Sequence, residues 1–168
     1  MPLRRNIMAA QLEVGDKVPD FTARCVWNKE FTLSSMLKET NVLLYFYPAN
    51  YGLMCTYYSE HMNEFYDDLE NIGVTVFHVN PESAENHRGW MGRCASVYDH
   101  ISDADQNISR MFGMLIGPAY VKEPLTNRGF AFIDKEMILR YVWRAPIPAD
   151  VLDLRSLIVT MGEILGKG

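Results

Sequence analysis

The chain has 168 residues, which suits a single domain, and hydrophobic residues make up 48% of it, enough for a sizeable core. Its net charge at pH 7 is −5 and its lysines and arginines are scattered, so composition argues against nucleic acid as a partner. No segment is long and apolar enough to span a membrane, so we expect no membrane partner either.

The first predicted elements are a tail, a hairpin and a short helix. Residues 1–10 are expected to form a loose N-terminal tail, and residues 11–168 a single domain. Segments 22–27 and 31–33 favour strands and flank a polar turn, which predicts an N-terminal β-hairpin. Residues 34–38 then predict a short helix before the next strand.

The chain is organised around a central strand and the helix that follows it. Residues 41–47 carry no charge and are rich in β-branched, aromatic and aliphatic side chains, which predicts a strand buried on both faces. Pro48 and Gly52 then break the pattern. One face of a long amphipathic helix is predicted from apolar residues at steps of three and four, namely Met54, Tyr58, Met62, Phe65, Leu69 and Ile72. Cys55 is therefore expected in the first turn of that helix.

The second half of the chain alternates strands and helices. In order, the sequence predicts a buried strand over 74–80, a helix over 83–94, a short helix ending at Gly113, a loop over 116–127, a hairpin over 129–134 and 138–143, and a last helix over 151–165. Residues 102–105 have the form of a capping box that would start the short helix. This alternation, with a hairpin near the end, indicates an α/β sandwich with a mixed sheet.

The position of Cys55 is compatible with two roles. Free backbone N–H groups and the positive end of the helix dipole favour an anion at a helix N-terminus, and the thiolate is the reactive form of cysteine. Cysteine is also common in buried cores, so position alone leaves a packing role open, and Cys25 is expected to have that role. The odd number of cysteines, three, argues against a secreted disulfide scaffold and favours a reducing, cytoplasmic location.

Two segments resemble motifs of the peroxiredoxins. The segment YPANYGLMC is similar to the peroxiredoxin active-site motif Pro-x-x-x-Thr/Ser-x-x-Cys, with Pro48 and Cys55 at its ends. The segment LTNRGFAFID is similar to the family's Arg-x-x-Phe-x-Ile-Asp strand, and Arg128 matches the arginine. The likeness extends over about residues 12–165 and resembles most the bacterioferritin-comigratory, or peroxiredoxin Q, type. It implies a thioredoxin-like fold with a mixed central sheet flanked by helices.

The resemblance implies a thiol peroxidase that reduces hydrogen peroxide or organic hydroperoxides. In the family the thiolate, here that of Cys55, attacks the peroxide and becomes a sulfenic acid. Arg128 would lie near the sulfur and bind the peroxide oxygens, and Pro48 would shape the loop and screen the site from water. The resemblance implies no cofactor and no metal, a thioredoxin-like or other thiol as reductant, and a monomer or a homodimer.

The chain departs from the family pattern at two positions. Gly52 stands where the family has threonine or serine, whose hydroxyl helps to hold the thiolate and the peroxide. Glycine offers only its backbone N–H there, so water or Tyr51 would have to replace the hydroxyl. Tyr58 stands three residues after Cys55, where many relatives carry a glutamate.

The sulfenic acid must then be reduced, and the resemblance offers a candidate for that step. Many peroxiredoxins of the Q type carry a resolving cysteine five residues after the first, but this chain has Glu60 there. Others carry it in the next helix, where Cys94 is the candidate. A disulfide needs Cα atoms within about 7 Å, so the helix would have to unwind locally, which Gly89 and Gly92 favour. The alternative is an idle Cys94 and a one-cysteine mechanism with an external thiol.

Three further functions compete with the peroxidase. A non-enzymatic redox sensor or binding module on the same scaffold would account for Gly52. A thioredoxin-like disulfide reductase is disfavoured, because the sequence contains no Cys-x-x-Cys. A metal site or a cysteine–histidine hydrolase is also disfavoured, because His61, His78, His87 and His100 lack metal-ligand spacing.

Overall fold

The computed structural model describes residues 11–117 and 124–167 of the chain. The expected tail over 1–10 and part of the predicted loop over 116–127 lie outside the described residues. The strands are β1 Thr22–Cys25, β2 Glu30–Thr32, β3 Asn41–Phe46, β4 Val74–Asn80, β5 Asp99–Ser102, β6 Leu115–Ile116, β7 Leu125–Thr126, β8 Gly129–Ile133 and β9 Leu139–Arg144. The helices are α1 Leu33–Met36, α2 Leu53–Asn63, α3 Tyr66–Asn71, α4 Ala84–Arg93, α5 Asn107–Met111 and α6 Leu154–Ile164.

Seven strands form one sheet in the order β2-β1-β5-β4-β3-β8-β9. Strands β3, β4 and β5 run parallel, whereas β8 is antiparallel to β3 and β1 is antiparallel to β5. The short strands β6 and β7 form a separate antiparallel pair. This arrangement confirms the predicted α/β fold with a mixed central sheet and an N-terminal hairpin, which is β1–β2.

The central strand β3 is buried on both faces, as its uncharged sequence predicts. Leu43 and Tyr45 pack on one face with side chains of α2 and α6. Val42 and Leu44 pack on the other face with side chains of α1 and α5. Burying one large apolar side chain stabilises a fold by about 1.5–3 kcal/mol. Because β3 contributes such side chains to both faces of the sheet, it stabilises both cores.

The single long helix predicted over 54–72 is wrong, because two helices, α2 and α3, take its place. The N–H groups of Glu64 and Phe65 each bond to the carbonyl three residues back, at 3.1 Å, so the α-helical ladder ends there. Phe65 still packs in the core, and the apolar spacing therefore continues across the break. Met54 lies off the buried face and is 48% exposed.

The capping box predicted over 102–105 is also wrong. Ser102 ends β5, a strand that the sequence pattern did not indicate, and α5 begins later. The carboxylate of Asp103 accepts the N–H groups of Ile108 and Ser109, at 3.0 and 2.8 Å. Asp103 therefore satisfies free N–H groups at the start of α5, but it does so across a longer loop than a capping box has.

The remaining elements lie close to their predicted positions. Strand β4, helix α4 and the β8–β9 hairpin match the predictions. The last helix, α6, starts later than predicted, because the carboxylate of Asp153 accepts the N–H of Ser156 at 3.0 Å and caps it. Val151 therefore precedes the helix and is exposed. Within residues 11–117 and 124–167, none of the helices has the length and apolar character that crossing a membrane requires.

Three histidines are buried side by side where β4, β5 and α4 meet. The ring centroids of His78 and His100 are 4.4 Å apart, and those of His87 and His100 are 5.2 Å apart. Burial lowers the pKa of His78 to about 3 and that of His87 to about 4, from a usual value of 6.5. Burial also holds the pKa of His100 well below its usual value. The three rings are therefore neutral at pH 7. In the described part of the chain, no cluster of three or more His, Cys, Asp or Glu side chains is arranged to hold a metal ion.

This histidine cluster predicts that acid destabilises the protein. Because the unfolded chain takes up protons near pH 6.5 and the folded chain does not, the stabilising contribution is complete above pH 6.5 and declines as the pH falls towards 4. Each histidine steepens the pH dependence of the unfolding free energy by up to about 1.4 kcal/mol per pH unit. Urea unfolding between pH 7 and 4.5 should show a shallower dependence for His78→Phe than for the wild type. Equal slopes for His78→Phe and the wild type would contradict the prediction.

Candidate active site

A sharp turn connects β3 to α2 at the C-terminal ends of the parallel strands. Tyr51 has left-handed backbone angles, with φ 63°, which reverse the chain direction. Gly52 follows in an extended conformation, with φ −68° and ψ 142°, and is the N-cap residue of α2. Ligands of open α/β sheets commonly bind at this edge of the sheet.

Cys55 lies in the first turn of α2, where the sequence pattern predicts it. The N–H and hydroxyl of Thr56 both donate to the carbonyl of Gly52, at 2.8 and 2.7 Å, and fix the start of the helix. Among the described residues, no side chain caps this helix, so the N–H groups of its first turn have no side-chain acceptor. Cys55 is 6% exposed, and its sulfur lies at the positive end of the helix dipole.

Arg128 reaches the sulfur from a distant part of the chain. Strand β8 runs antiparallel to β3 with Gly129 opposite Phe46, which places Arg128 at the same edge of the sheet as the β3–α2 turn. Nη2 of Arg128 lies 3.4 Å from Sγ of Cys55, although 73 positions separate the two residues. The arginine is 1% exposed, so the contact is shielded from solvent.

The other contacts of Arg128 hold its guanidinium in place. Nη1 donates to the hydroxyl of Tyr45, and Nε donates to the carbonyl of Pro148 at 3.1 Å. The guanidinium also lies over the ring of Tyr58, 5.6 Å from its centroid, in a cation–π contact. No carboxylate among the described residues lies within 4.0 Å of Arg128. The glutamate expected in many relatives is thus replaced by an aromatic face.

The electrostatics of this cluster keep Arg128 charged and its two tyrosine neighbours neutral. Burial lowers the pKa of Arg128, but the neighbouring Tyr45 and Cys55 outweigh burial and raise it above its usual value, so the guanidinium is charged. Burial raises the pKa of Tyr45 well above its usual range, and burial also raises that of Tyr58, so both phenols are neutral.

Gly52 leaves room for a side chain beside the sulfur. A Cβ atom at this position would lie 3.7 Å from Sγ of Cys55 and 3.9 Å from the carbonyl oxygen of Ala49, which are ordinary contacts. Because φ is negative, the backbone accepts any L-residue here. Tyr51 does not fill this space, because its ring packs on Trp90, with centroids 5.2 Å apart, on the side of α4.

Asn50 ties the turn to the rest of the sheet. The side-chain oxygen Oδ1 of Asn50 accepts a hydrogen bond from the hydroxyl of Tyr47 and another, at 3.1 Å, from the side-chain amide of Asn80. Its own amide lies 2.7 Å from Oδ1 of Asn86 and 3.1 Å from Nδ1 of His87. These bonds connect the turn to β4 and α4. Pro48, at the start of the turn, is partly buried and directs the chain away from β3.

The structure does not bring Cys94 to Cys55. Cys94 is buried just after α4. Its backbone carbonyl accepts a hydrogen bond, at 3.0 Å, from the side-chain amide of Asn63, which lies in the last turn of α2. From Cys55 to that turn the axis of α2 rises about 12 Å, so a disulfide requires α4 to unwind at its end. All three cysteines are free, and burial raises the pKa of Cys94. Burial and the carboxylate of Asp99 raise the pKa of Cys25 to about 12.

Sequence reasoning missed three residues of this site, namely Tyr45, Asn50 and the ring of Tyr58 as a contact of Arg128. One signal was present in the sequence. A tyrosine in a strand that is buried on both faces needs a partner for its hydroxyl, and Tyr45 finds that partner in Arg128. The contacts of Asn50 depend on how β4 and α4 pack, and no local pattern announces them.

Comparison with solved structures shows the fold. The structure of peroxidoxin BcpB from Mycobacterium tuberculosis superposes with a TM-score of 0.80 at 21% sequence identity, covering 92% of this chain and 99% of that one. The predicted thioredoxin-like fold is therefore confirmed.

Comparison with the sequences of known proteins shows which family the chain is related to. The chain is 29% identical over 138 residues to a chloroplastic 2-Cys peroxiredoxin BAS1 of Hordeum vulgare, covering 76% of this chain and 64% of that protein. It is 30% identical over 135 residues to the alkyl hydroperoxide reductase C of Bacillus subtilis, covering 77% of this chain and 70% of that protein. The chain thus spans less than two thirds of the length of the Hordeum protein. Residues 14–142 match the AhpC/TSA family. The chain therefore belongs to the AhpC/TSA family, and its resemblance to the peroxiredoxins is confirmed.

Proposed function

We propose that the protein is a thiol peroxidase that reduces hydrogen peroxide or organic hydroperoxides at Cys55. The observation that carries this proposal is the 3.4 Å contact between the Cys55 sulfur and the buried guanidinium of Arg128, at the N-terminus of α2. A buried cation without a carboxylate partner favours the thiolate, which is the form that attacks a peroxide. The names of the matched relatives, 2-Cys peroxiredoxin and alkyl hydroperoxide reductase, are consistent with this activity.

In the proposed reaction the thiolate attacks one peroxide oxygen and the O–O bond breaks. The sulfur is oxidised to a sulfenic acid, and the leaving oxygen takes up a proton to form water or an alcohol. Arg128 and the free N–H groups of the first turn of α2 stabilise the charge that develops on the oxygens. The guanidinium is already fixed by Tyr45 and Pro148, so little reorganisation is needed when a peroxide binds.

The proposed second step returns Cys55 to the thiol. After local unwinding of α4, the thiol of Cys94 attacks the sulfenic sulfur, a disulfide forms and water leaves. A thioredoxin-like dithiol then reduces that disulfide. We place the chain in the cytoplasm, because an odd number of cysteines argues against a secreted disulfide scaffold.

A redox sensor is the alternative, and Gly52 is the observation that favours it. The position lacks a hydroxyl, although a side chain would fit beside the sulfur. In that case peroxide oxidises Cys55 slowly and the protein does not consume peroxide rapidly. A partner protein then recognises the oxidised form as the signal.

The peroxidase proposal predicts that Cys55 and Arg128 are both required for activity. Cys55→Ser should abolish peroxide consumption, and Arg128→Ala should lower kcat/KM by about 100-fold or more, because it removes the positive charge and the Nη2 donor beside the sulfur. Stopped-flow tryptophan fluorescence with hydrogen peroxide and cumene hydroperoxide measures both. Arg24→Ala, which changes an exposed arginine, is the matched control and should be fully active. Full activity of Cys55→Ser would refute the assignment, and a wild-type rate no faster than that of a free thiol would favour the sensor.

A hydroxyl restored at position 52 should accelerate the reaction. The Cβ of Gly52→Ser would lie in van der Waals contact with the sulfur, so the hydroxyl can donate to the thiolate or the peroxide. One such charge-assisted hydrogen bond corresponds to a rate increase of about 10- to 100-fold. Gly52→Ala adds the same Cβ without the hydroxyl and is the control. If serine is no faster than alanine at this position, the hydroxyl does not act on the sulfur.

The resolving role of Cys94 predicts a specific disulfide. After one equivalent of peroxide, non-reducing peptide mass spectrometry should find Cys55 linked to Cys94. In Cys94→Ser the sulfenic acid of Cys55 should persist and react with dimedone. Oxidised Cys55 without a link to Cys94 in the wild type would instead establish a one-cysteine mechanism.

A further inference from the structure

A groove of about 330 Å³ lies at the end of the sheet opposite Cys55. Its floor is the first half of β4, over residues 74–77. Val74 pairs with Asn41, the first residue of β3, whereas Cys55 follows the last residue of that strand. The groove and the proposed peroxidase site therefore occupy opposite ends of the parallel strands.

The floor of this groove is a strand edge with no neighbouring strand. Strand β3 pairs with β4 from Val74 onwards, but β5 joins the other side of β4 only at Phe77, opposite Asp99. On the β3 side, the N–H of Asn41 donates to the carbonyl of Gly73, and the N–H of Tyr47 donates to the carbonyl of Val79. The backbone N–H and carbonyl groups of the odd-numbered residues of β4 therefore point towards β3. Because the direction alternates along a strand, the backbone groups of Val74 and Val76 point away from β3. The Phe77–Asp99 pairing uses the carbonyl of Val76, so the groups without a neighbouring strand are the N–H and carbonyl of Val74 and the N–H of Val76.

The chain before β5 is held away from this edge. Ala95 has left-handed angles, with φ 50°, and the amide of Asn63 binds the carbonyls of Cys94 and Ala95 at 3.0 and 3.1 Å. The segment is thereby fixed against the end of α2. No hydrogen bond from a loop or a side chain reaches the backbone of Val74 or Val76 anywhere in the described ranges.

The walls of the groove come from both faces of the sheet. Trp27 stands on one flank, where the carboxylate of Asp99 accepts its N–H at 3.0 Å and those of the two neighbouring residues. Tyr66, at the start of α3, stands on another flank. Trp27 and Tyr66 are 54% and 41% exposed, which leaves two aromatic residues accessible at the groove.

The charge of the groove is of one sign. The carboxylates of Glu39 and Glu70 line it from opposite faces of the sheet, and both residues are exposed. No lysine or arginine is among its lining residues in the described ranges. Carboxylates next to exposed aromatic rings attract lysine and arginine side chains by charge and by cation–π contact.

We propose that this groove binds an extended, basic polypeptide segment of a partner protein, which adds a short strand beside Val74–Val76. Main-chain hydrogen bonds from the open edge of β4 align the segment, as in other cases of β-strand addition. Lysine or arginine side chains of the segment lie against Glu39 and Glu70, and its apolar side chains contact Trp27 and Tyr66. The proposal does not depend on the peroxidase activity, since none of these residues contacts Cys55 or Arg128.

The test uses a panel of fluorescein-labelled pentapeptides with arginine or lysine at positions two and three, whose side chains point to opposite faces of an added strand, and valine, threonine, isoleucine or tyrosine elsewhere. Fluorescence anisotropy with the full chain should detect saturable binding of at least one member. The same peptide with N-methyl groups on alternate amides should lose binding, because it cannot pair with β4. Its analogue with glutamate at positions two and three should not bind.

Variants of the protein separate the groove from a general acidic surface. The double variant Glu39→Gln, Glu70→Gln should weaken binding about five- to tenfold, the effect of losing two exposed ion pairs. Glu85→Gln, which removes an exposed carboxylate at the other end of β4, and Cys55→Ser should both bind as the wild type does. The proposal is overturned if no member of the panel binds, if the N-methylated peptide binds as well as its parent, or if the double variant binds as well as the wild type.

Discussion

The site depends on a guanidinium that is buried without a carboxylate. Removing a charge from water is costly unless polar or charged groups replace its hydration. Arg128 is surrounded by a phenol, a backbone carbonyl, an aromatic ring and the sulfur of Cys55. The first three orient it but carry no negative charge, and the sulfur is its remaining contact. The folded structure therefore holds a fixed positive charge beside the Cys55 sulfur.

This arrangement exists because the sheet is mixed. The parallel pair β3–β4 exposes the start of α2 at one edge, and the antiparallel strand β8 returns Arg128 to that edge. Asn50 joins the turn to β4 and α4 through side-chain hydrogen bonds. Residues from four separate segments thus meet around one sulfur, and their positions are set by strand register more than by the turn itself.

The sequence predicts much of this fold from local patterns. The uncharged run before Pro48 and the apolar steps after it are sufficient to place Cys55 at a helix start, and the motif match pairs it with Arg128. The break between α2 and α3 was not predictable from the same steps, because Phe65 and Leu69 remain buried on either side of it. The contact of Tyr45 with Arg128 and the open edge of β4 depend on which strands are neighbours, and a single sequence does not specify that.

The space beside Gly52 has a consequence for how the protein can evolve. Glycine codons GGU and GGC become serine codons by one nucleotide substitution, and the extended backbone at this position accepts the new side chain without rearrangement. A lineage can therefore gain or lose a hydroxyl at the sulfur in one mutational step while the fold stays the same. In the proposed reaction, a change at this one position alters the hydrogen bonds available to the sulfur without repacking the core.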